Sequence, residues 1–254
     1  PLVIAGGTAM LNPEPIADFM DLMLLGEGEE MNNELLELLH NAKKIGMSKS
    51  EFLLEASKIG GVYVPSMYTP KYNEDGTMSG FEIAPDAPEK VTKRLISDLN
   101  TVHFPLNPIV PSTEVVHDRV NLELFRGCIR GCRFCQAGFI YRPVREKSVD
   151  VLCEQGRQLE KNTGYDEMGL LSLSTSDYTK FPELAENLLE TFEGHHTSLS
   201  LPSLRLDSFS LDLMEKVQST RKSGLTFAPE AGTQRLRDVI NKNIREEDIY
   251  NACR

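Results

Sequence analysis

The sequence predicts an α/β protein in which two α/β segments flank a proline-rich connector. Short apolar runs alternate with helical patterns in residues 1–46 and again in residues 120–254, an order typical of parallel sheets. Between them, Pro105, Pro108 and Pro111 mark an extended stretch. We therefore expect three segments with the boundaries 1–46, 47–119 and 120–254.

The composition is that of an ordinary globular protein. The 254 residues are 40% hydrophobic and 26% charged, no apolar run approaches the ~18 residues of a membrane helix, and no secretory signal is visible. The net charge of −11 argues against broad binding to a nucleic-acid backbone. The chain starts at Pro1 inside an apolar run and stops at Arg254 inside a helical pattern, so we expect a fragment truncated at both ends.

The first segment contains two apolar runs of strand length, residues 2–5 and 22–25. A helix is expected to begin at Glu14-Pro15, and a second helix contains Leu35, Leu36, Leu38 and Leu39. Two strands are too few for a stable sheet, so the segment resembles the tail of a larger domain.

The middle segment is predicted to be a linker subdomain. Residues 48–59 form an amphipathic helical pattern, and residues 62–64 and 81–83 bracket a turn-rich stretch at 73–76 that is typical of a β-hairpin.

The last segment predicts four β/α units. Strands are expected at 120–125, 168–174, 199–206 and 225–227. The intervening helices run from the N-cap Ser148 to Gly164, from 182 to 192 and from the N-cap Ser210 to 222, and helical pattern continues after Thr233.

Three of the five cysteines lie within eight residues, at the end of the first of these strands. Cys128, Cys132 and Cys135 have the spacing C-x3-C-x2-C, which favours metal ligation over a disulfide framework and therefore predicts a cytoplasmic protein. Three thiolates can hold a four-iron cluster and leave one iron open for a cofactor. The alternative is a structural zinc site, with Cys153, His117 or His103 as the fourth ligand.

This loop resembles the signature of the radical S-adenosylmethionine (SAM) superfamily, with Phe134 as the aromatic residue before the third cysteine. Residues 127–146 and 224–243 are also similar to radical SAM proteins that carry a cobalamin (B12)-binding domain. The resemblance implies a partial (β/α)6 TIM-like barrel in residues 120–254, preceded in 1–46 by the end of a flavodoxin-like, cobalamin-type domain. The Asp-x-His-x-x-Gly motif that binds cobalamin in such domains does not occur in this chain.

The resemblance also implies the chemistry and the partners. A [4Fe–4S] cluster held by Cys128, Cys132 and Cys135 would reduce SAM, whose S–C5′ bond breaks to give methionine and a 5′-deoxyadenosyl radical. A flavodoxin or ferredoxin would supply the electron, and the full-length protein would bind cobalamin. The reaction could be methyl transfer, methylthio transfer or a rearrangement. An RNA substrate is compatible with the family, but the acidic charge lends it no support.

Further cofactor-binding residues are expected at the ends of the later strands. Ser174 and Ser176, with Asp177 next to them, occupy the position that meets the SAM amino group in the family, although a helix-capping role is the alternative. Arg205 suits the SAM carboxylate, against an ion pair with Asp207 or Glu230. Glu230 is placed to reach the ribose or the substrate, against simple capping of the next helix by Thr233.

Residues 126–147 contain six basic residues and one acidic residue, a local charge suited to a cluster or to a phosphate-bearing substrate, although a solvated face is the default for at least half of them. Two rival functions remain from the residues alone. One is a non-catalytic binding module stabilised by zinc or a cluster, and the other is an electron-transfer protein, which would use four cysteines.

Overall fold

The computed structural model describes residues 1–113, 115–201, 204–206, 217 and 226–253. The chain forms two compact units, Pro1–Ser97 and Asp98–Arg254. This division differs from the predicted boundaries at 46/47 and 119/120. Phe104 and Leu106, which were assigned to the connector, pack against the core of the second unit, so the connector does not stand apart from it.

The first unit contains a three-stranded sheet, a helical pair and a hairpin. Its elements in chain order are β1 (Ile4–Gly6), β2 (Leu22–Leu24), α1 (Gly28–Ile45), α2 (Lys49–Ser57), β3 (Val62–Tyr63), β4 (Tyr68–Tyr72) and β5 (Met78–Ile83). β2 lies between β1, to which it is parallel, and β3, to which it is antiparallel. The third strand, β3, extends the sheet beyond the two strands that were predicted. Its Val62 is buried in one hydrophobic cluster with Leu22 of β2 and with Met31 and Phe52 of the helices.

The hairpin is formed by β4 and β5 around the predicted turn at 73–76. Its first strand is Tyr68–Tyr72 rather than 62–64, since Val62 and Tyr63 are buried and pair with β2 instead. Residue 76 needs a left-handed backbone with φ 80°, which glycine adopts without steric cost. The turn was therefore predicted correctly, and one of its two strands was not.

The second unit is built from β/α units. Its elements in chain order are β6 (Val120–Glu123), β7 (Phe125–Arg126), α3 (Ala137–Ile140), β8 (Arg145–Glu146), α4 (Val149–Thr163), β9 (Glu167–Leu171), α5 (Phe181–Thr191), β10 (Ser198–Ser200), α6 (Gln234–Val239) and α7 (Glu246–Ala252). β9 lies between β6 and β10 and is parallel to both. A parallel bridge between Leu204 and Phe227 marks the next neighbour.

Helix ends in this unit follow the sequence signals. The Ser148 hydroxyl accepts a hydrogen bond from the Val151 amide, and Gly164 ends α4 with φ 71°. The Thr233 hydroxyl accepts from the Leu236 amide, but the helical pattern that it opens is broken after Val239 and resumes only at Glu246. The predicted helix from Ser210 to 222 lies outside the described residues.

The core of the second unit lies between the parallel sheet and the helices α4 and α5. Leu122, Leu152, Leu170 and Leu184 are completely buried there. Each such side chain contributes about 1.5–3 kcal/mol relative to an exposed one, so this packing fixes the sheet whose ends carry the site. No helix in the described part of the chain is both long and apolar enough to cross a bilayer.

Candidate functional site

The cysteines lie on a loop that is closed at its base by two short strands. β7 pairs antiparallel with β8, with Phe125 opposite Glu146 and Arg126 opposite Arg145. The two ends of the loop formed by residues 127–144 therefore lie next to each other. The Leu124 amide donates to the Leu171 carbonyl oxygen at 3.0 Å, which continues the β6–β9 pairing up to the loop. The loop therefore stands at the carboxyl end of the parallel sheet, where ligands usually bind in α/β folds.

Gly127 opens the loop in a conformation that no other residue fits. Its φ is 98°, and a Cβ there would lie 2.8–2.9 Å from Pro143 O, Val144 Cα and Tyr141 O. The sequence prediction that this glycine allows a tight backbone is consistent with both observations.

The three predicted ligands are free thiols on this loop. Cys128 and Cys132 are half-buried and Cys135 is exposed, and the Cys135 amide donates to the Cys132 carbonyl oxygen at 3.1 Å. Within the described residues, no group of three or more His, Cys, Asp or Glu side chains is arranged to hold a metal ion. The chemistry of the donor set fits an iron–sulfur cluster, because such clusters prefer thiolate ligands.

The basic residues of the loop are bound to the protein itself. Arg126 donates to Glu123 (Nε–Oε1 2.8 Å), and Arg142 donates to the carbonyl oxygens of Cys128 at 3.2 Å and Arg130 at 3.0 Å. Arg126 is half-buried, but Arg142 is exposed, so the expectation of a solvated face for at least half of the basic residues stays a prediction. The hydrogen bonds of Arg142 connect the end of the loop to residues 128 and 130 near its start.

Arg130, between the first two cysteines, connects the loop to the turn that follows β9. Its guanidinium binds both carboxylate oxygens of Asp177, with Nε–Oδ2 at 2.8 Å. Burial raises the pKa of Asp177, whose side chain is only 7% exposed, but hydrogen bonding by Arg130 and Ser174 and the charges of Arg130 and Arg205 together outweigh it and hold the pKa below its usual value. The sequence pattern favoured Ser174 and Ser176 over Asp177 and did not single out Arg130.

Ser174 and Ser176 lie in the same turn, but they point to different surroundings. The Ser174 hydroxyl is buried and makes no hydrogen bond to the described part of the chain, although it lies near enough to Asp177 to help lower the pKa of that carboxyl group. It does not cap the turn that follows, so the helix-capping alternative is not what the structure shows. The Ser176 hydroxyl accepts a hydrogen bond from the Arg205 amide at 3.3 Å.

Lys242 contacts three of the predicted cofactor-binding residues, Arg205, Glu230 and Phe134. The buried Arg205 guanidinium donates to the Lys242 carbonyl oxygen at 2.8 Å, and the Lys242 ammonium lies 3.1 Å from Glu230 Oε1. The same ammonium lies 5.9 Å from the centre of the exposed Phe134 ring. Glu230 is therefore paired with Lys242, while Asp207, the other partner weighed for Arg205, lies outside the described residues.

Lys242 belongs to a turn that also binds the cysteine loop directly. The Asn241 side-chain amide donates to the Gly131 carbonyl oxygen at 2.8 Å, and the Arg133 amide donates to the Ile240 carbonyl oxygen at 2.9 Å. Asn241 and Asn243 both have φ 56°. The signal that could have revealed this turn is the Asn-Lys-Asn sequence, since asparagine tolerates the left-handed conformation better than most residues.

Two family models match the chain. The model described as "Radical SAM proteins, N-terminal" matches residues 1–65, and the model described as "Radical SAM superfamily" matches residues 122–254. The second match contains the whole cysteine loop and every other residue predicted to bind a cofactor.

Two proteins of Methanocaldococcus jannaschii are similar in sequence. An uncharacterized protein is 31% identical over 255 residues, which cover 99% of this chain and 48% of that protein. A protein provisionally named a methylthiotransferase is 24% identical over 219 residues, which cover 80% of this chain and 47% of that protein. The chain thus spans about half the length of either relative.

Two solved structures of TsrM, a methyltransferase from Kitasatospora setae, share the fold. The structure with tryptophan and the SAM analog aza-SAM has a TM-score of 0.63 at 10% identity and covers 98% of this chain and 46% of that one. The structure with cobalamin and a [4Fe-4S] cluster has a TM-score of 0.57 at 12% identity and covers 97% and 47%. At these identities the likeness concerns the fold, and it confirms the predicted α/β class.

Proposed function

This chain belongs to the radical SAM superfamily, and we propose that it binds a [4Fe–4S] cluster through Cys128, Cys132 and Cys135 and cleaves SAM reductively. Members of this superfamily use both cofactors. The observation that carries the proposal is the C-x3-C-x2-C loop itself, which stands between β7 and β8 at the carboxyl end of the parallel sheet.

The cluster, when bound, supplies the electron that breaks the S–C5′ bond of SAM to give methionine and a 5′-deoxyadenosyl radical. The protein's part is to hold the thiolates at a fixed spacing and to keep water from the reacting groups. Gly127 and the Arg130–Asp177 pair serve the first task, because they fix the loop at its base and at its middle. Phe134, a residue that is 56% exposed, offers an apolar surface next to the third cysteine in sequence.

Arg205 and Ser174 are proposed to bind the amino acid part of SAM. A guanidinium is well suited to a carboxylate, and Arg205 is held in place from its backbone by Ser176 and from its side chain by Lys242. The Ser174 hydroxyl is buried and makes no hydrogen bond to the described part of the chain, which supports the amino group assignment, since a buried polar atom is costly unless a ligand or another group satisfies it. Glu230 is proposed to meet the ribose or the substrate.

The reaction class is proposed to be methyl or methylthio transfer in the full-length protein. A relative named as a methylthiotransferase and the fold shared with a methyltransferase support this class. Cobalamin is proposed as a further cofactor of the full-length protein, on the ground that one structure of the same fold contains it. A flavodoxin or ferredoxin is the proposed electron donor, and the clustered free thiols support a location in the cytoplasm.

The test is anaerobic reconstitution with iron and sulfide, followed by electron paramagnetic resonance of the reduced protein with and without SAM. We expect a four-iron signal that SAM perturbs and that Cys132→Ala abolishes. Cys153→Ala is the matched control, because Cys153 is a half-buried thiol on α4, away from the loop, and its loss should leave the signal intact.

Two results would contradict the proposal. Binding of zinc without formation of a cluster would indicate a structural metal site. A four-iron signal that SAM leaves unchanged would indicate electron transfer rather than SAM cleavage.

A further inference from the structure

The segment 239–243, here named the clasp, follows the fourth predicted strand and touches the cysteine loop at two points. The backbone amide of Arg133 donates to Ile240 O at 2.9 Å, and the guanidinium of the same residue donates to Val239 O. The side-chain amide of Asn241 donates to Gly131 O at 2.8 Å. Gly131 and Arg133 flank Cys132 on both sides. The central thiol is thus held between two contacts from a segment about 110 residues away in sequence.

The clasp also has a backbone conformation that requires a reason. Asn241 and Asn243 both have φ 56°, a conformation that costs an L-residue free energy and persists where other contacts compensate for that cost. For Asn241 the reason is visible, since the left-handed turn directs its side chain to Gly131 O. Asn243 is exposed, and no hydrogen bond joins its side chain to the described part of the chain.

Lys242 extends the clasp to the residues proposed to bind SAM. Its carbonyl oxygen accepts from Arg205, its ammonium pairs with Glu230 at 3.1 Å, and the same ammonium lies 5.9 Å from the Phe134 ring centre. One short turn therefore contacts the cysteine loop on one side and the proposed SAM site on the other.

We propose that the clasp positions the cysteine loop for cluster binding and that Asn241 is its positioning residue. The inference rests on the proposed function, because the loop that it positions is the one proposed to hold the cluster. Without the Asn241 amide, the carbonyl oxygen of Gly131 loses its partner and the segment around Cys132 opens more often. The loss of one hydrogen bond of average strength corresponds to about a fivefold increase in the open population.

The experiment compares Asn241→Gly with Asn243→Gly. Glycine accepts the left-handed backbone at both positions, so the two variants share the change in backbone freedom, and only Asn241→Gly removes a contact with the loop. The apoprotein, freed of metal by a chelator and kept reduced, is treated briefly with N-ethylmaleimide, and each cysteine is quantified by peptide mass spectrometry. Cys153 on α4 and the exposed Cys253 serve as references inside the same molecule.

We expect Cys132 to be alkylated about fivefold faster in Asn241→Gly than in the wild type, because the variant has lost one hydrogen bond of average strength. Its rate in Asn243→Gly should stay near that of the wild type, and Cys153 should not change in either variant. After reconstitution, Asn241→Gly should hold less iron than Asn243→Gly.

Equal Cys132 rates in the two variants would overturn the inference, and so would a parallel increase at Cys153, which would mean general loosening of the unit. The result is separate from the proposed function. A wild-type protein that forms no cluster would refute that function, yet the alkylation difference between the two apoproteins would still decide whether the clasp holds the loop.

Discussion

Lys147 provides a quantitative test of the packing that supports the cysteine loop. It lies between β8 and the N-cap of α4, and its side chain is almost completely buried. The ammonium donates to Gln155 Oε1 at 3.1 Å, lies 4.0 Å from Glu123 Oε2, and lies 4.0 Å from the centre of the Phe104 ring. We propose to replace it by methionine, which has a similar volume and no charge.

The magnitude follows from the pKa of Lys147. Burial lowers this pKa from 10.5 to about 8, although the nearby Glu123 carboxylate acts in the opposite direction. Between pH 8 and 10.5 the unfolded chain therefore binds more protons at this residue than the folded chain, so the stability should rise with pH across this window. The shift in the pKa of Lys147 corresponds to a change in the free energy of unfolding on the order of 3 kcal/mol across this pH window.

The assay is denaturant unfolding followed by circular dichroism, measured under reducing conditions from pH 7 to pH 10. Relative to Lys147→Met, the wild type should gain about 2–3 kcal/mol of unfolding free energy over this range. Lys161→Met is the control, since Lys161 is exposed on the same helix α4 and should show no such difference. If the stabilities of the wild type and Lys147→Met change in parallel with pH, the buried charge does not carry the assigned cost and the reasoning is refuted.

Three further predictions concern the loop and its supports. Gly127→Ala should lower the unfolding free energy by about 2 kcal/mol or more and prevent iron uptake on reconstitution, because φ 98° and contacts at 2.8 Å leave no room for a Cβ; normal iron content would contradict this. Asp177→Asn should lower stability at neutral pH by about 2–4 kcal/mol in thermal or denaturant unfolding, since it leaves the Arg130 guanidinium without its anion. Because the pKa of Asp177 is lowered in the folded state, the part of that difference that comes from its charge should be present above the pKa in the unfolded chain, about 4, and should be lost as the pH falls through the lowered pKa. Ser148→Ala should cost about 1 kcal/mol in denaturant unfolding by removing the hydroxyl that accepts from the Val151 amide, and an unchanged midpoint would refute this.

The features that were predicted correctly from the sequence are those that depend on local sequence patterns. Ser148 and Gly164 carry capping chemistry in their own side chain or backbone, and the structure places the bounds of α4 between them. The cysteine loop was also located correctly at the end of a strand, because the alternating apolar pattern of residues 120–125 is followed, after Arg126, by the glycine that opens the loop.

What the sequence could not predict depends on tertiary partners. Residues 62–64 have the pattern of a hairpin strand, yet Val62 and Tyr63 pair with β2, since burial against α1 and α2 outweighs the local pairing. Lys242 and Asn241 were missed for the same reason. Their roles come from contacts with Phe134 and Gly131, more than 100 residues earlier, and the Asn-Lys-Asn sequence by itself indicates a left-handed turn but not its partners.

The long-range contact between Asn241 and Gly131 also bears on how the protein is made. Translation proceeds at about 5–20 residues per second, so the 110 residues between them take roughly 5 to 20 s to emerge. Throughout that interval the nascent chain presents its cysteines on a segment that still lacks its last support. On the proposed function, a cluster delivered after Asn241 has emerged would meet a loop that this residue holds, whereas one delivered earlier would meet the three cysteines without that contact.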